Sequence, residues 1–411
     1  MAVTFTLSPE QERLKATARA FAAEHLRDLA AAVRAEHDPL RRALLARPVF
    51  ERAVAAGFLK GLIPVPFGGT ASNGVDAAIF VEEFASESPD FMISLAGPLI
   101  ALAPVYEAGT PEQVERFVAP FLAGSGAPVA AMAFSEPGGS ANFDAPEPAE
   151  GTRTIAVPDG DHWIINGAKA WASHLGGWDG HGPDLMTIVC RTPGGVSIIV
   201  AEREDLRDGL VVEEVYDLAG LRGCLTSRIR LENVRVPLGN LIGAEGQGAA
   251  LTRHAFLSSG ASIGVFAVAA MRKAFDIAYR FASTHKRGGL VPIIDHQSVA
   301  DVLTDAKGKI EATRLLSWRA LDAVLAGHAA GPELALHAKI FGSETGLDVL
   351  NSLIKIVGVE AYRTDFGIVT HLNDALAYPI IEGSNIGVRR RQMHDILRSD
   401  SWDPLAASGM S

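Results

Sequence analysis

Glu382 stands in Pro379-Ile380-Ile381-Glu382-Gly383-Ser384-Asn385, a lone carboxylate beside two isoleucines and a glycine. A carboxylate in an apolar pocket has its charged form disfavoured, so its pKa climbs toward the working pH and it can take a proton from carbon. The isoleucines are expected to be buried, and Gly383 to let the backbone come close to a ligand. Arg389 follows seven residues on, two turns away if the segment is helical, where its charge would offset the burial. The competing reading of this window is a glutamate on the solvated side of a helix.

Such a carboxylate needs elements to hold it. Ser8-Pro9 followed by Gln11 has the form of a capping box with proline in the first turn, and opens a first helix. Helical patterning continues to about residue 125, with expected breaks at Pro64-Val65-Pro66-Phe67-Gly68-Gly69, at Pro98 and at Thr110-Pro111. From 126 to 240 the composition turns to glycine, proline and β-branched residues. Runs such as Trp163–Gly167, Leu185–Cys190, Val196–Val200 and Arg228–Leu231 read there as strands. After Gly246-Gln247-Gly248 four helical patterns follow, about 249–284, 296–328, 332–357 and 383–397, expected to pack as an antiparallel bundle. The chain is thus an α+β protein of three domains: 1–125 all-helical, 126–240 a β-barrel or sandwich, 241–411 a four-helix bundle.

The 411 residues carry a formal charge of −11 and no long basic run, which argues against a nucleic-acid or anionic-membrane surface. Arg389-Arg390-Arg391 is the basic cluster of note, and such triplets commonly form a partly solvated helix face. Cys190 and Cys224 make no disulfide framework and have no CxxC partner or nearby histidine pair for a metal, which fits a reducing, cytoplasmic compartment. The first residues, Met1 to Leu7, lack the form of a signal peptide. The most apolar run, Ile263 to Met271, is too short to span a bilayer. No GxGxxG follows a strand to open a helix, so dinucleotide binding by a Rossmann turn is not supported.

Four stretches resemble the acyl-CoA dehydrogenase superfamily in order and spacing: Phe134-Ser135-Glu136-Pro137-Gly138-Gly139-Ser140-Ala141-Asn142, Trp163 to Trp171, Leu231 to Pro237 leading into Gly246-Gln247-Gly248, and the Glu382 segment. The three-domain order is similar too. Within that superfamily the chain resembles the nitroalkane oxidase branch more closely. Arg47-Pro48, Ile63 to Thr70, Gly176-Gly177-Trp178-Asp179, Arg287-Gly288-Gly289, Ile294 to Asp301 and Asn385 to Met393 carry that likeness. One position departs from it: nitroalkane oxidase has an aspartate followed by two glycines where this chain has Glu382-Gly383-Ser384, and glutamate is the usual acyl-CoA dehydrogenase choice.

The resemblance implies an FAD enzyme with Glu382 as base, Arg389 as its ion-pair partner and Ser259 near base and flavin, although Ser259 is equally readable as a small helix-packing residue. It implies Ser173 as hydroxyl donor to the reactive flavin nitrogen and Trp171 packed on the isoalloxazine ring, an ordinary core aromatic being the alternative. Met132, Phe134, Ser135, Gly139 and Ser140 are expected around the flavin pyrimidine and pyrophosphate, with Ser384 also at the cofactor. Arg287, Gln297, Lys355 and Gly358 would complete the adenine and diphosphate site of a neighbouring subunit, in a homotetramer or a dimer. Three functions follow from it: nitroalkane oxidation to carbonyl product and nitrite with oxygen reduced to peroxide, dehydrogenation of an acyl thioester with electrons passed to an electron-transfer flavoprotein, or flavin binding without catalysis.

Overall fold

In the computed structural model the described residues are 6–146 and 148–403; Met1 to Phe5, which carry most of the reading of the N-terminus, lie outside them. The first helix, Pro9–Phe21, starts where the capping box predicts: the Ser8 hydroxyl accepts from the Gln11 N–H at 3.2 Å and the Gln11 side chain accepts from the Ser8 N–H at 3.0 Å. Thr110 and Gln113 repeat the device at the start of Pro111–Leu122. Pro98 does not break the chain. Helix Pro89–Ala108 runs through Pro98 and Pro104. Its Phe91, Met92, Leu95, Leu102 and Val105 are buried, and that packing outweighs the lost backbone hydrogen bonds.

The middle region is one eight-stranded sheet. Its strands are β1 (Ala130–Ala133), β2 (Ile155–Asp159), β3 (His162–Ser173), β4 (Leu185–Thr192), β5 (Gly195–Glu202), β6 (Leu210–Val215), β7 (Thr226–Pro237) and β8 (Leu241–Ile242), in the order β6-β7-β3-β2-β4-β5-β8 with β1 parallel on β4. The path is open rather than closed into a barrel, and β8 carries the sheet past the expected boundary at 240. β3 bulges between Ala170 and Ala172, which turns Trp171 out of the ladder.

Three long helices, Gly248–Thr284, Gln297–Leu325 and Gly331–Val357, follow and pack on one another. The fourth expected helix, 383–397, is shorter. Residues Asn385–Arg389 form a π turn and only Arg390–Leu397 is α-helical, while Ile368–Ala375 supplies a short helix the sequence reading lacks. Helices Gly74–Ala85 and Pro89–Ala108 of the first region pack against this bundle. Buried Glu82 pairs there with Arg272 and Arg314, and Glu83 with Arg19 and Arg272.

Pro89–Ala108 and Gly248–Thr284 are long and apolar enough to cross a membrane, so the run Ile263 to Met271 belongs to a longer apolar helix than it suggests. Half and two-thirds of their most apolar windows are buried within the protein.

The loop between β6 and β7 joins all three regions. Its Gly223 N–H donates to Asp90 Oδ2 at 2.8 Å and its Leu221 N–H to Asp374 Oδ1 at 2.7 Å. A Cβ on Gly220 would collide with the Asn373 carbonyl, and one on Gly223 with the Asp90 carboxylate.

Candidate active site

Glu382 sits at φ +53°, in the left-handed region that a non-glycine residue occupies only when its surroundings hold it there. Its Oε2 is buried and has no hydrogen-bond partner. Burial raises its pKa above the carboxylate range, while the Ser259 hydroxyl and the charges of Arg389 and Lys339 pull it back. The flanking apolar residues differ from expectation. Ile380 is 67% exposed, Ile381 is half-buried, and the side chain that reaches the carboxyl is Ser259, on helix Gly248–Thr284.

Arg389 is fully enclosed but makes no ion pair with the carboxylate. Its Nε and Nη2 donate to the backbone carbonyl of Glu382, at 2.9 and 2.6 Å, and Nη2 also to the Phe256 carbonyl at 2.8 Å. Nη1 donates to the Gln392 side chain at 2.9 Å. The expected partner therefore acts on Glu382 through its backbone carbonyl and through the field. Gly383 and Gly260 give the guanidinium its room: a Cβ on Gly383 would lie 2.8 Å from Arg389 Nε, and one on Gly260 3.0 Å from Nη2. The glycine read as space for a ligand is space for the arginine. Burial holds Arg389 down at about 10, against the charge of Glu382.

The second part of the site lies where β1 and β3 end. Met132 is buried in the ladder opposite Thr187, so its side chain belongs to the core and only its backbone could face a cofactor. Phe134 packs edge-on against Phe143 and meets Phe256, with ring centroids 5.2 Å apart in the latter pair, linking this loop to the helix that bears Ser259. The Ser135 carbonyl accepts from the Ala170 N–H at 2.9 Å, tying the loop to β3. Ser140 accepts from the Glu136 N–H at 3.0 Å, which leaves its own proton free to donate. Gly139, at φ +91°, borders open space. Beneath the loop, Lys169 donates to Glu136 at 2.9 Å and to the carbonyls of Phe134 and Val189.

Trp171, at φ +69°, is 59% exposed and stacks on Tyr216 at 4.4 Å, not in the core. The Ser173 hydroxyl lies against the Cys224 thiol. Ser384 is partly buried, and its carbonyl accepts from the Val388 and Arg389 N–H groups. A largely exposed indole, a glycine loop bordering open space and the Ser140 hydroxyl, free to donate, together fit a flavin ring and its phosphates.

Three family models match in chain order: acyl-CoA dehydrogenase N-terminal domain over residues 8–125, middle domain over 131–234 and C-terminal domain over 246–397. The chain belongs to the acyl-CoA dehydrogenase family. Nitroalkane oxidase of Podospora anserina is 38% identical over 380 residues, 88% of each chain. A solved structure of nitroalkane oxidase, an active-site mutant with asparagine for aspartate crystallised with 1-nitrooctane, is 33% identical, covers 100% of both chains and has a TM-score of 0.95. A probable acyl-CoA dehydrogenase of Mycobacterium tuberculosis is 28% identical over 93% of this chain and 94% of its own.

In this member of the acyl-CoA dehydrogenase family the remaining expected cofactor residues lie elsewhere. Arg287 donates to the Val357 carbonyl and stands over the Phe281 ring, and Gly358, at φ +67°, leaves room for that guanidinium. Gln297 donates to Asp301 at 2.7 Å, and Lys355 is exposed. Helix Gly248–Thr284 separates this group from Ser259 by about 38 Å at 1.5 Å per residue. One chain therefore does not bring the two groups together.

The sequence reading missed Lys339, a wholly buried lysine whose Nζ donates to the Tyr378 carbonyl and to Asn385 Oδ1. Its signal was a lysine set directly between Ala338 and Ile340. It also missed Asp374 and Asp90, whose role appears only once three regions meet. No cluster able to hold a metal occurs among the described residues.

Proposed function

We propose that this chain is an FAD-dependent nitroalkane oxidase that converts a small nitroalkane and water to an aldehyde or ketone and nitrite, with oxygen reduced to hydrogen peroxide. The family's members are FAD flavoproteins; the base chemistry rests on the buried, unpartnered Oε2 of Glu382, and the choice of a nitroalkane on the likeness to nitroalkane oxidase, 38% identical in sequence and with a TM-score of 0.95 in structure. The carboxylate takes the proton from the carbon bearing the nitro group, whose acidity that group supplies. Arg389 and Ser259 hold the base in place and favour its ionised form before the transfer. Bound FAD supplies the electron acceptor, and in an oxidase oxygen regenerates it. Trp171, Ser173, Ser135, Ser140, Gly139 and Ser384 would hold the cofactor, with Arg287, Gln297, Lys355 and Gly358 completing it from a neighbouring subunit of a homotetramer.

A second reading, an acyl-CoA dehydrogenase passing electrons to an electron-transfer flavoprotein, is favoured by the base itself. The nitroalkane oxidase structure above has an active-site aspartate, and Glu382 is one methylene longer. Free, buried Cys190 and Cys224 fit a cytoplasmic location. The deciding experiment incubates the purified holoenzyme with nitroethane and assays nitrite and peroxide, both expected to rise. If neither rises while acyl-CoA thioesters bleach the flavin, the nitroalkane reading falls.

A further inference from the structure

We propose that Lys339 is a positioning residue for the catalytic base, a buried ammonium that fastens both ends of the Glu382 loop and sets the field in which that carboxylate works. The inference rests on Glu382 being the base. Tyr378 and Asn385 flank the loop Pro379–Ser384, and the two recorded partners of the Lys339 ammonium are the Tyr378 carbonyl and, at 3.1 Å, Asn385 Oδ1. The Asn385 amide continues to Ser343 Oγ at 3.0 Å and Glu344 Oε1 at 3.1 Å, on the same helix, and Arg390 holds Glu344 at 2.8 Å. One helix thus grips the loop at consecutive turns.

A neutral donor would make the same brace without the penalty of burying a charge. No carboxylate lies within ion-pair distance of the ammonium among the described residues, so its charge is left to act at longer range. The charged groups facing it are Arg389, Glu382 and Glu344. Burial, then Arg389, brings Lys339 down to about 7, while the two carboxylates resist. Its positive charge in turn favours ionised Glu382, against the burial that pushes the base toward its neutral form.

The test uses flavin-loaded enzyme in two ways. Anaerobic flavin reduction is followed against pH, and the carboxylic-acid infrared band that is missing in Glu382→Gln is titrated without substrate. In Lys339→Met the acid limb and the band midpoint are both expected to move up by about one pH unit, and in Lys339→Arg both return toward the wild-type position. Unmoved midpoints, with only the plateau rate or the melting temperature lowered, would reduce Lys339 to a brace and overturn the inference. Should Lys339→Met fail to fold, Asn385→Leu carries the test. Losing one acceptor makes the ammonium costlier, so the midpoint moves the same way by less, and an unmoved midpoint overturns the inference there too. Full reduction by Glu382→Gln would remove the base reading separately, and the infrared midpoint would still decide what Lys339 does.

Discussion

The protein buries two glutamates near lysines and treats them in opposite ways. In the loop after β1, Glu136 accepts from Lys169 at 2.9 Å, from the Thr154 hydroxyl at 2.7 Å and from the Thr154 and Arg153 N–H groups at 2.9 and 2.8 Å. Burial alone would raise its pKa, but these donors outweigh it and hold the carboxyl below its usual range. In the bundle, the cations beside Glu382 are spent on carbonyl and amide oxygens, Oε2 is left bare, and burial wins. Burial does not by itself make a carboxylate reactive. What separates structure from chemistry here is whether the donors are aimed at the carboxylate or at its backbone.

Removing each carboxylate's defining feature should therefore have different effects. Glu382→Gln is expected to slow anaerobic flavin reduction by about 10²- to 10⁴-fold while leaving the melting temperature unchanged or higher, since a neutral amide is cheaper to bury. A reduction rate equal to wild type would sink the base assignment. Lys169→Met leaves Glu136 buried without its cation and should cost about 3–5 kcal/mol of stability, read by denaturant unfolding; a loss under about 1 kcal/mol would mean the sheet pair is not the structural member of the contrast.

Asp374 lies between the two, with one hydrogen bond from Leu221 and a carboxyl that burial, helped by Asp90, lifts to about 7. Its folded pKa exceeds the unfolded value of roughly 3.9. The native state thus holds the proton longer, and the stability this confers is complete below about pH 4 and is lost as the pH rises toward 7. Asp374→Asn keeps the Oδ1 acceptor and should flatten that slope, which is at most about 1.4 kcal/mol per pH unit. Thermal melts between pH 4 and 7.5 check it, and an unchanged slope would place the proton elsewhere.

Much of this was legible in the chain because it was written in residue types. Glycines and hydroxyls mark the Phe134–Asn142 loop, long apolar periodicity marks the three bundle helices, and the lone carboxylate marks the buried Glu382. What spacing could not carry was which oxygen a guanidinium reaches. Arg389 sits seven residues from Glu382 in an α-helix or a π turn alike, and only the fold sends it to the backbone carbonyl. β1 was not anticipated because Ala130-Ala131-Met132-Ala133 has no β-branched residue, and its strand form comes from pairing with β4. Pro98 misled because a proline's cost in a helix is local while the burial that outweighs it is not.

The β6–β7 loop, held by Asp90 from the first region and Asp374 from the third, bears on how the molecule comes apart. Loosening either flanking region strips a carboxyl from the same loop, which then loses its hold on the other. The Cys224 thiol, on that loop and against the Ser173 hydroxyl, would be displaced in the same event. Local fraying in one region is thereby transmitted to the Ser173 end of β3, and with the flavin held there as proposed, loss of colour should accompany the earliest stage of denaturation instead of trailing it.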